Sequence, residues 1–405
     1  MSRKKILIIN PGTLFPKVMA FQDRVINIIK CLNENHLVDV ISLYTKEEEK
    51  ELSERNLKNI CNRYYLIRKP NHSFFRKKIY GFIVKVIQLI TFKPFETFYP
   101  NWFNIKKEIY SIIKRTKYDV IQIEAWWQCS IFKNIPYNTL KVIDTHDVMY
   151  EKRELEYKHK YKDKISIYGR LYLKEYKRRE LYNTSLADLI ISISKPDLDV
   201  LKKHFPEKEH LMVPLGQELS AFIDYPKNSN GRTVLFYGSL GGKQNIVAFW
   251  RLYKSILPKI KNKLESIKLI ILGANPTNDI KELHNGEDVI VTGYVNDVRE
   301  YISQSDIMIL PLEISGGFRG RIIEVMGMGV PILGTHNALD CMGMNNDEHG
   351  YISDNDDEIS SYAINLLKDK KKYNDMGMKC KDFVKKHYSF ESTYYKLAKY
   401  YNNIE

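Results

Sequence analysis

Short aliphatic and β-branched runs recur along the whole chain, each followed by a longer stretch with helical periodicity. In the first half they are Lys5–Asn10, Val38–Leu43, Tyr64–Ile67, Val120–Ile123, Val142–Asp144, Leu189–Ser192 and Met212–Pro214. In the second half they are Thr233–Tyr237, Lys268–Leu272, Val289–Thr292, Ile307–Leu310 and Pro331–Gly334. Alternation of this kind demands crossover connections, and so an α/β protein with parallel sheets covered by helices on both faces. A length of 405 residues calls for two such cores. The polar stretch Leu215–Arg232, with its Pro, Gly and Asn residues, is the expected joint. We therefore expect one domain over residues 1–228, a second over 229–385, and an amphipathic, aromatic last segment over 386–405. Tyr150 through Glu180 reads as one charged, solvated helix. Ligands of such sheets bind beyond the carboxyl ends of the strands.

The most informative of those ends follows Asp306-Ile307-Met308-Ile309-Leu310. The chain continues through Pro311 to a glycine pair, Gly316-Gly317, and from Gly320 the residues Ile322, Ile323, Val325 and Met326 repeat at helical spacing. Glycines let a backbone approach a ligand closely, and a helix N-terminus turns unpaired N–H groups and a positive dipole end toward the same place. Together they form an anion site suited to phosphates. Arg319 and Arg321 add fixed positive charge, and Glu324, one turn beyond Arg321, could accept hydrogen bonds from a ribose diol. The same spacing also fits a glycine turn before an ordinary helix with a surface Arg–Glu pair.

Charge is unevenly placed. Residues 1–228 hold 41 Lys and Arg against 27 Asp and Glu, and residues 229–405 hold 22 of each, so the first half carries the whole net charge of +14. Residues 55–117 carry 15 basic and 2 acidic side chains among apolar ones such as Phe82, Ile83, Val86 and Ile87. Such a stretch fits either a helix lying on an anionic membrane surface or an amphipathic helix covering a sheet. Its apolar run from Ile79 to Phe92 is interrupted by Lys85 and Gln88 and is too short to span a bilayer. No recognised nucleic-acid motif accompanies the basic residues, so nucleic acid is not an expected partner. Five cysteines without C-x-x-C spacing read as reduced thiols of a cytoplasmic protein. The opening M-S-R-K-K-I-L-I-I-N has too brief an apolar run for a signal peptide. No metal signature is present, and no cofactor is expected.

The segment from Gly316 to Pro331 resembles the donor-site signature of glycosyltransferase family four, the group 1 enzymes of GT-B fold. The family pattern is G-G-x-R-x-K-x-x-E-A-M-A-x-G-x-P. Gly316, Gly317, Arg319, Arg321, Glu324, Met326, Gly329 and Pro331 fall in register with it. Arg321 replaces the family lysine, and Gly316 stands where many members carry a first glutamate, as in a subgroup with a Gly-Gly loop. Phe236-Tyr237-Gly238-Ser239-Leu240 with Asn245 is similar to the strand and glycine turn opening the family's second domain, with Lys243 near the usual Lys-Gly. Val291-Thr292-Gly293-Tyr294-Val295 is similar to the turn that packs on the nucleotide base, and Asp306 matches a later family aspartate.

The first half resembles the family less. Pro11-Gly12-Thr13 sits where a glycine loop meets the diphosphate and sugar, and Arg24 where a helical arginine is common. Tyr118 to Glu124 matches D-V-(V/I)-H-x-H with Gln122 and Glu124 in place of the two histidines, the second of which contacts the donor sugar in several relatives. Glu124 could bind sugar hydroxyls, serve as a base, or pair with a lysine. Trp126 and Trp127 could stack on an acceptor or pack in the core. His146, in Asp144-Thr145-His146-Asp147, could exchange a proton or hold its loop.

The resemblance implies a GT-B fold: two Rossmann-like domains and an interdomain cleft, with the last helix crossing back onto the first domain. It implies a retaining, metal-independent transferase using a nucleoside diphosphate sugar as substrate. Gly12, Thr13, Gly238, Lys243, Gly293, Tyr294, Gly316, Gly317, Phe318, Arg319, Arg321 and Glu324 would bind the donor. Glu124 and His146 would be the catalytic pair. The acceptor would be a glycan, lipid-linked or protein hydroxyl, in bacterial surface polysaccharide or glycoconjugate synthesis at the inner face of the membrane. A non-catalytic homologue serving as a binding subunit, or a nucleotide-sugar epimerase, are the alternatives.

Overall fold

The computed structural model describes residues 3–17, 20–69, 86–87, 90–91, 102–136, 138–162, 164–314 and 319–404. The chain divides into two compact units, residues 1–214 with 393–405, and residues 215–392. Each is built on one parallel sheet.

The sheet of the first unit has the order β3-β2-β1-β4-β5-β6-β7. Its strands are β1 (Lys5–Asn10), β2 (Leu37–Tyr44), β3 (Arg63–Arg68), β4 (Val120–Ile123), β5 (Leu140–Asp144), β6 (Leu189–Ser192) and β7 (Glu209–Met212). The central strands are buried almost end to end, as expected when helices cover both faces. The second sheet has the order β10-β9-β8-β11-β12-β13. It comprises β8 (Thr233–Tyr237), β9 (Lys268–Leu272), β10 (Val289–Gly293), β11 (Ile307–Leu310), β12 (Ile332–Gly334) and β13 (Gly350–Ile352). In both sheets the order reverses once, between β1 and β4 and between β8 and β11. The crevice for a ligand opens outside the carboxyl ends of the strands at that reversal.

Several sequence expectations shift. The strand expected at Met212–Pro214 lies at Glu209–Met212, because it pairs with Leu189–Ser192. β13 is only Gly-Tyr-Ile, too short for its pattern to show. The helix expected from Tyr150 to Glu180 is two helices, Met149–Tyr161 and Ile167–Thr184. The first ends at Lys162 in left-handed conformation (φ 46°), and Ser166 caps the second by accepting from the Gly169 N–H at 3.1 Å.

The boundary between the units falls at Pro214/Leu215 rather than at 228. Residues 215–228 are tied to the second unit by backbone and side-chain bonds. Asn228 N–H donates to Ser303 O at 2.9 Å, Arg299 Nη1 to Ala221 O at 3.2 Å, and Lys227 Nζ to Ser305 O. At the far end, residues 386–392 stay with the second unit, where Gln217 N–H donates to Tyr388 O and Phe390 N–H to Gln217 O. Residues 393–405 count with the first, burying Tyr394, Leu397 and Tyr401 there. Among the described residues no helix is long and apolar enough to cross a membrane. Most of the apolar core of the basic 55–117 stretch, including Phe82 and Ile83, lies outside them.

Candidate active site

At the reversal point of the second sheet, β8 ends in Tyr237-Gly238 and β11 leads toward the helix Gly320–Gly327. That helix forms because Ile322, Ile323, Val325 and Met326 give it a continuous apolar face, all of them buried. It stops at Gly327-Met328-Gly329, where Gly329 is left-handed (φ 70°), and Pro331 follows. Among the described residues no side chain caps its N-terminus, at Arg319, and the Ile322 N–H donates to Arg319 O at 3.1 Å.

Arg321 in the first turn reaches back over Gly238. A Cβ placed on Gly238 would lie 2.7 Å from Arg321 Nη1, so the guanidinium occupies space that only glycine leaves open. Arg321 Nη2 donates to Asn245 Oδ1 at 3.1 Å, and Asn245 is itself held by donating to Ser239 O at 2.8 Å. Arg321 Nε is buried and has no partner among the described residues. Burial, and then the neighbouring Arg319, push the guanidinium down to about 10. A cation under that strain favours an incoming anion. One turn on, Tyr237 donates its hydroxyl to Glu324 Oε2 at 3.0 Å, fixing the carboxylate beside the arginine. Substituting Gly238→Ala should leave the melting temperature nearly unchanged, since a flexible guanidinium can swing aside. Affinity for a diphosphate should fall roughly tenfold, about 1.4 kcal/mol; a thermal melt checks the first and calorimetric titration the second.

The remaining donor-site expectations divide. Gly316, Gly317 and Phe318 lie outside the described residues. Lys243 is exposed at the first position of the helix Lys243–Arg251. Gly293 closes β10 in left-handed conformation (φ 68°) with open space around it, and Tyr294 beyond it is 78% exposed. All three stand at the carboxyl-end side of the sheet. Asp306 does not: it is buried before β11 and accepts from Thr233 N–H at 2.9 Å, a structural tie at the other end. Tyr237 is a partner the sequence reading left unused, although its position at a strand end next to Gly238 carried the signal.

In the first unit, the carboxyl ends of β1, β4 and β5 gather Gly12, Glu124 and His146. Gly12 has open space where a Cβ would be. Its carbonyl accepts from Asn10 Nδ2, Ser42 Oγ and Leu43 N–H at 2.7, 2.8 and 3.0 Å. The Thr13 hydroxyl turns into its own loop and donates to Phe15 O at 2.5 Å, so it shapes the loop. Beneath them Arg24 and Asp144 form an ion pair that is wholly buried, with Nε and Nη2 at 2.9 and 2.8 Å from Asp144 Oδ2. Arg24 Nη1 also donates to Pro214 O at 2.7 Å.

Above that pair, His146 Nε2 lies 3.0 Å from Glu124 Oε2. The Glu124 side chain has no exposed surface, and His146 keeps 20% of its own. Glu124 therefore stands behind His146. Of the two expected catalytic residues, only His146 keeps exposed surface, and Glu124 is hydrogen-bonded behind it. His146 is left-handed (φ 55°), which aims its ring back onto Glu124. Burial raises the Glu124 carboxyl, with Asp144 adding to the rise and the His146 bond opposing it. For His146, burial works downward, but Asp144 and the bond to Glu124 outweigh it and hold the imidazole above its ordinary 6.5. One ligand atom from each of Glu124, Asp144 and His146 lies within 4.8 Å of the others. With the Arg24 guanidinium on Asp144, this is a charge network already neutralised by protein, and we do not read it as a metal centre. Trp126 is core, only 2% exposed and packed edge-on against Trp127 and Tyr176.

With this geometry in view, the family model "Glycosyl transferases group 1" matches residues 231–369, most of the second unit. The chain carries a group 1 glycosyltransferase domain and has the GT-B fold. Among curated proteins, N-acetyl-alpha-D-glucosaminyl L-malate synthase of Bacillus anthracis is 28% identical over 144 residues. That match covers 34% of this chain, and the chain spans about a third of that relative's length (36%). Among solved structures, sucrose-phosphate synthase from Thermosynechococcus elongatus aligns with a TM-score of 0.66 at 15% identity, covering 99% of this chain and 98% of that one. Anabaena HepE in complex with UDP aligns with a TM-score of 0.62 at 11% identity, over 98% and 99%. A mutant of Staphylococcus aureus TarM, in complex with Fondaparinux, alpha-GlcNAc-glycerol and UDP, aligns with a TM-score of 0.62 at 12% identity, over 99% and 100%. At such identities these likenesses speak for the fold.

Proposed function

We propose that this protein transfers a sugar from a nucleoside diphosphate sugar to an acceptor hydroxyl, with retention at the anomeric carbon. The observation that carries the reading is Arg321, whose buried Nε has no partner among the described residues, laid against Gly238 beside the Tyr237-held carboxylate of Glu324. Arginine matches phosphate oxygens with a fork of donors, and the start of the helix Gly320–Gly327 would turn its positive dipole end toward them. These groups are in place before the leaving group develops charge, which is where electrostatic stabilisation acts most strongly. Glu324 would take the ribose hydroxyls and the exposed Tyr294 would lie against the base. UDP in the similar HepE structure supports a nucleoside diphosphate ligand. In the first unit, His146 would meet the reacting hydroxyls, and Glu124 would set its tautomer and charge. Glu124 is not assigned a covalent role, since Gln122 Nε2 and His146 already hold its two oxygens. Synthesis of a surface glycan or glycoconjugate is the setting we infer, with the membrane reached through the basic 55–117 stretch.

The test is thermal stability against UDP, GDP, ADP and their sugar conjugates, with Glu324→Ala as control. A ligand at a hundred times its dissociation constant stabilises by about 2.7 kcal/mol. One nucleoside diphosphate should raise the melting temperature of the wild type and leave Glu324→Ala unmoved. A wild type that responds to none of them would leave a GT-B fold acting as a binding subunit.

A further inference from the structure

The candidate site of the first unit is linked to a residue far along the chain. Tyr401, on the helix Phe390–Asn402, is fully buried and donates its hydroxyl to Gln122 Oε1 at 2.6 Å. Gln122 is also fully buried, on β4, and donates through Nε2 to Glu124 Oε1 at 2.7 Å. Glu124 Oε2 meets His146 Nε2 at 3.0 Å. The chain of bonds is thus Tyr401, Gln122, Glu124, His146, and only its last member reaches the surface. Gln122 and Glu124 are the two positions where the sequence departs from the histidines of the resembling pattern, so the relay belongs to this chain's own residues.

We infer that Tyr401 is a positioning residue for His146, acting by fixing which way the Gln122 amide points. An amide can present its oxygen or its NH2 to a neighbour. An ionised carboxylate only accepts, so Glu124 needs the NH2. The Tyr401 hydroxyl donates to the oxygen on the other side and holds the amide in that sense. A donor on Oε1 favours the charged form of Glu124, which in turn favours the imidazolium of His146. The hydroxyl itself stays protonated: burial, with Glu124, Asp144 and Tyr400 nearby, pushes Tyr401 far up. The other groups facing His146 are Asp144 on β5, Arg24 on the helix Ala20–Asn35, and the edge of the Phe21 ring at 6.0 Å. Arg24 is already matched by Asp144. The relay is therefore the adjustable part of this environment, and it sets the charge His146 carries when a substrate hydroxyl arrives. This role rests on the transferase reading for its purpose.

The experiment is the NMR titration of the His146 ring in the full-length protein, assigned with His146→Gln, in the wild type and two variants. Tyr401→Phe leaves Gln122 Oε1 without a donor, so the variant should melt lower, and its His146 midpoint should fall by about half a pH unit or more. The double variant Tyr401→Phe/Gln122→Met removes the orphaned oxygen and should regain melting temperature, yet its His146 midpoint should stay low, because methionine offers Glu124 no donor in place of the Gln122 Nε2. A midpoint unchanged in Tyr401→Phe, or restored together with stability in the double variant, would make Tyr401 a packing residue and overturn the inference. The titration is read without turnover, so it decides this role even if no donor in the nucleotide panel is bound. Nucleotide-induced stabilisation, measured alongside, should be the same in all three proteins.

Discussion

Arg321→Ala should weaken binding of the nucleoside diphosphate by a hundredfold or more, about 3 kcal/mol, while leaving the empty protein as stable as the wild type or slightly more so. The two effects have opposite signs for one reason. The half-buried side chain has, among the described residues, one hydrogen-bond partner, Asn245, and a buried Nε with none, and burial has already pushed it down to about 10. In the absence of an anion it is a cost to the fold, and removing it relieves that cost. With a diphosphate present, the same group becomes a charge-assisted partner in a partly dry setting, where truncation of one side of a charge pair costs about 2–5 kcal/mol. Arg321→Lys should recover only part of the affinity, because an ammonium lacks the planar fork. Isothermal titration with the diphosphate, paired with urea unfolding of the empty protein, reads both. An unchanged dissociation constant in Arg321→Ala would remove the phosphate role.

The other large effect concerns stability. Asp144→Ala should destabilise the first unit by about 3–5 kcal/mol, since it strands Arg24 as an unpaired buried charge. Arg24 has no exposed route for its charge: it is 1% exposed and bonded to Asp144 and to Pro214 O. Replacing both members, as Arg24→Met/Asp144→Leu, should recover most of the loss, because well-packed apolar residues often replace a buried ion pair at little cost. Urea unfolding followed separately in the two units should show only one transition move. If the single and double variants unfold alike, the ion pair is not what stabilises that region.

Much of the architecture was legible because parallel strands buried on both faces leave unbroken apolar runs. β1, β2, β8, β9 and β11 could be placed from their runs alone, and Arg321 and Glu324 from one helical turn of spacing. What escaped was what depends on pairing across long distances. Glu209–Met212 is a strand because Leu189–Ser192 offers it an edge, and nothing in its own residues says so. The joint was placed late because polarity marks exposure, whereas the true division follows bonds such as Asn228 N–H to Ser303 O. Glu124 read as a possible catalytic group because a carboxylate at a strand end is chemically suggestive. Its burial behind His146 depends on β4 and β5 lying side by side. Tyr401 carried no local signal, since its partner is 279 residues away.

That separation bears on how the protein is made. The first unit's sheet is complete in the chain by Met212, but Tyr394, Leu397 and Tyr401, which it buries, are synthesised only after the entire second unit. A ribosome therefore releases a finished second unit before the first can close over its last helix. Until then Gln122 on β4, and His36 just before β2, lack the partners that helix supplies, the Tyr401 hydroxyl and the Ala398 backbone. The order of synthesis thus places all of residues 215–392 ahead of Tyr401, the last link in the chain of bonds to His146.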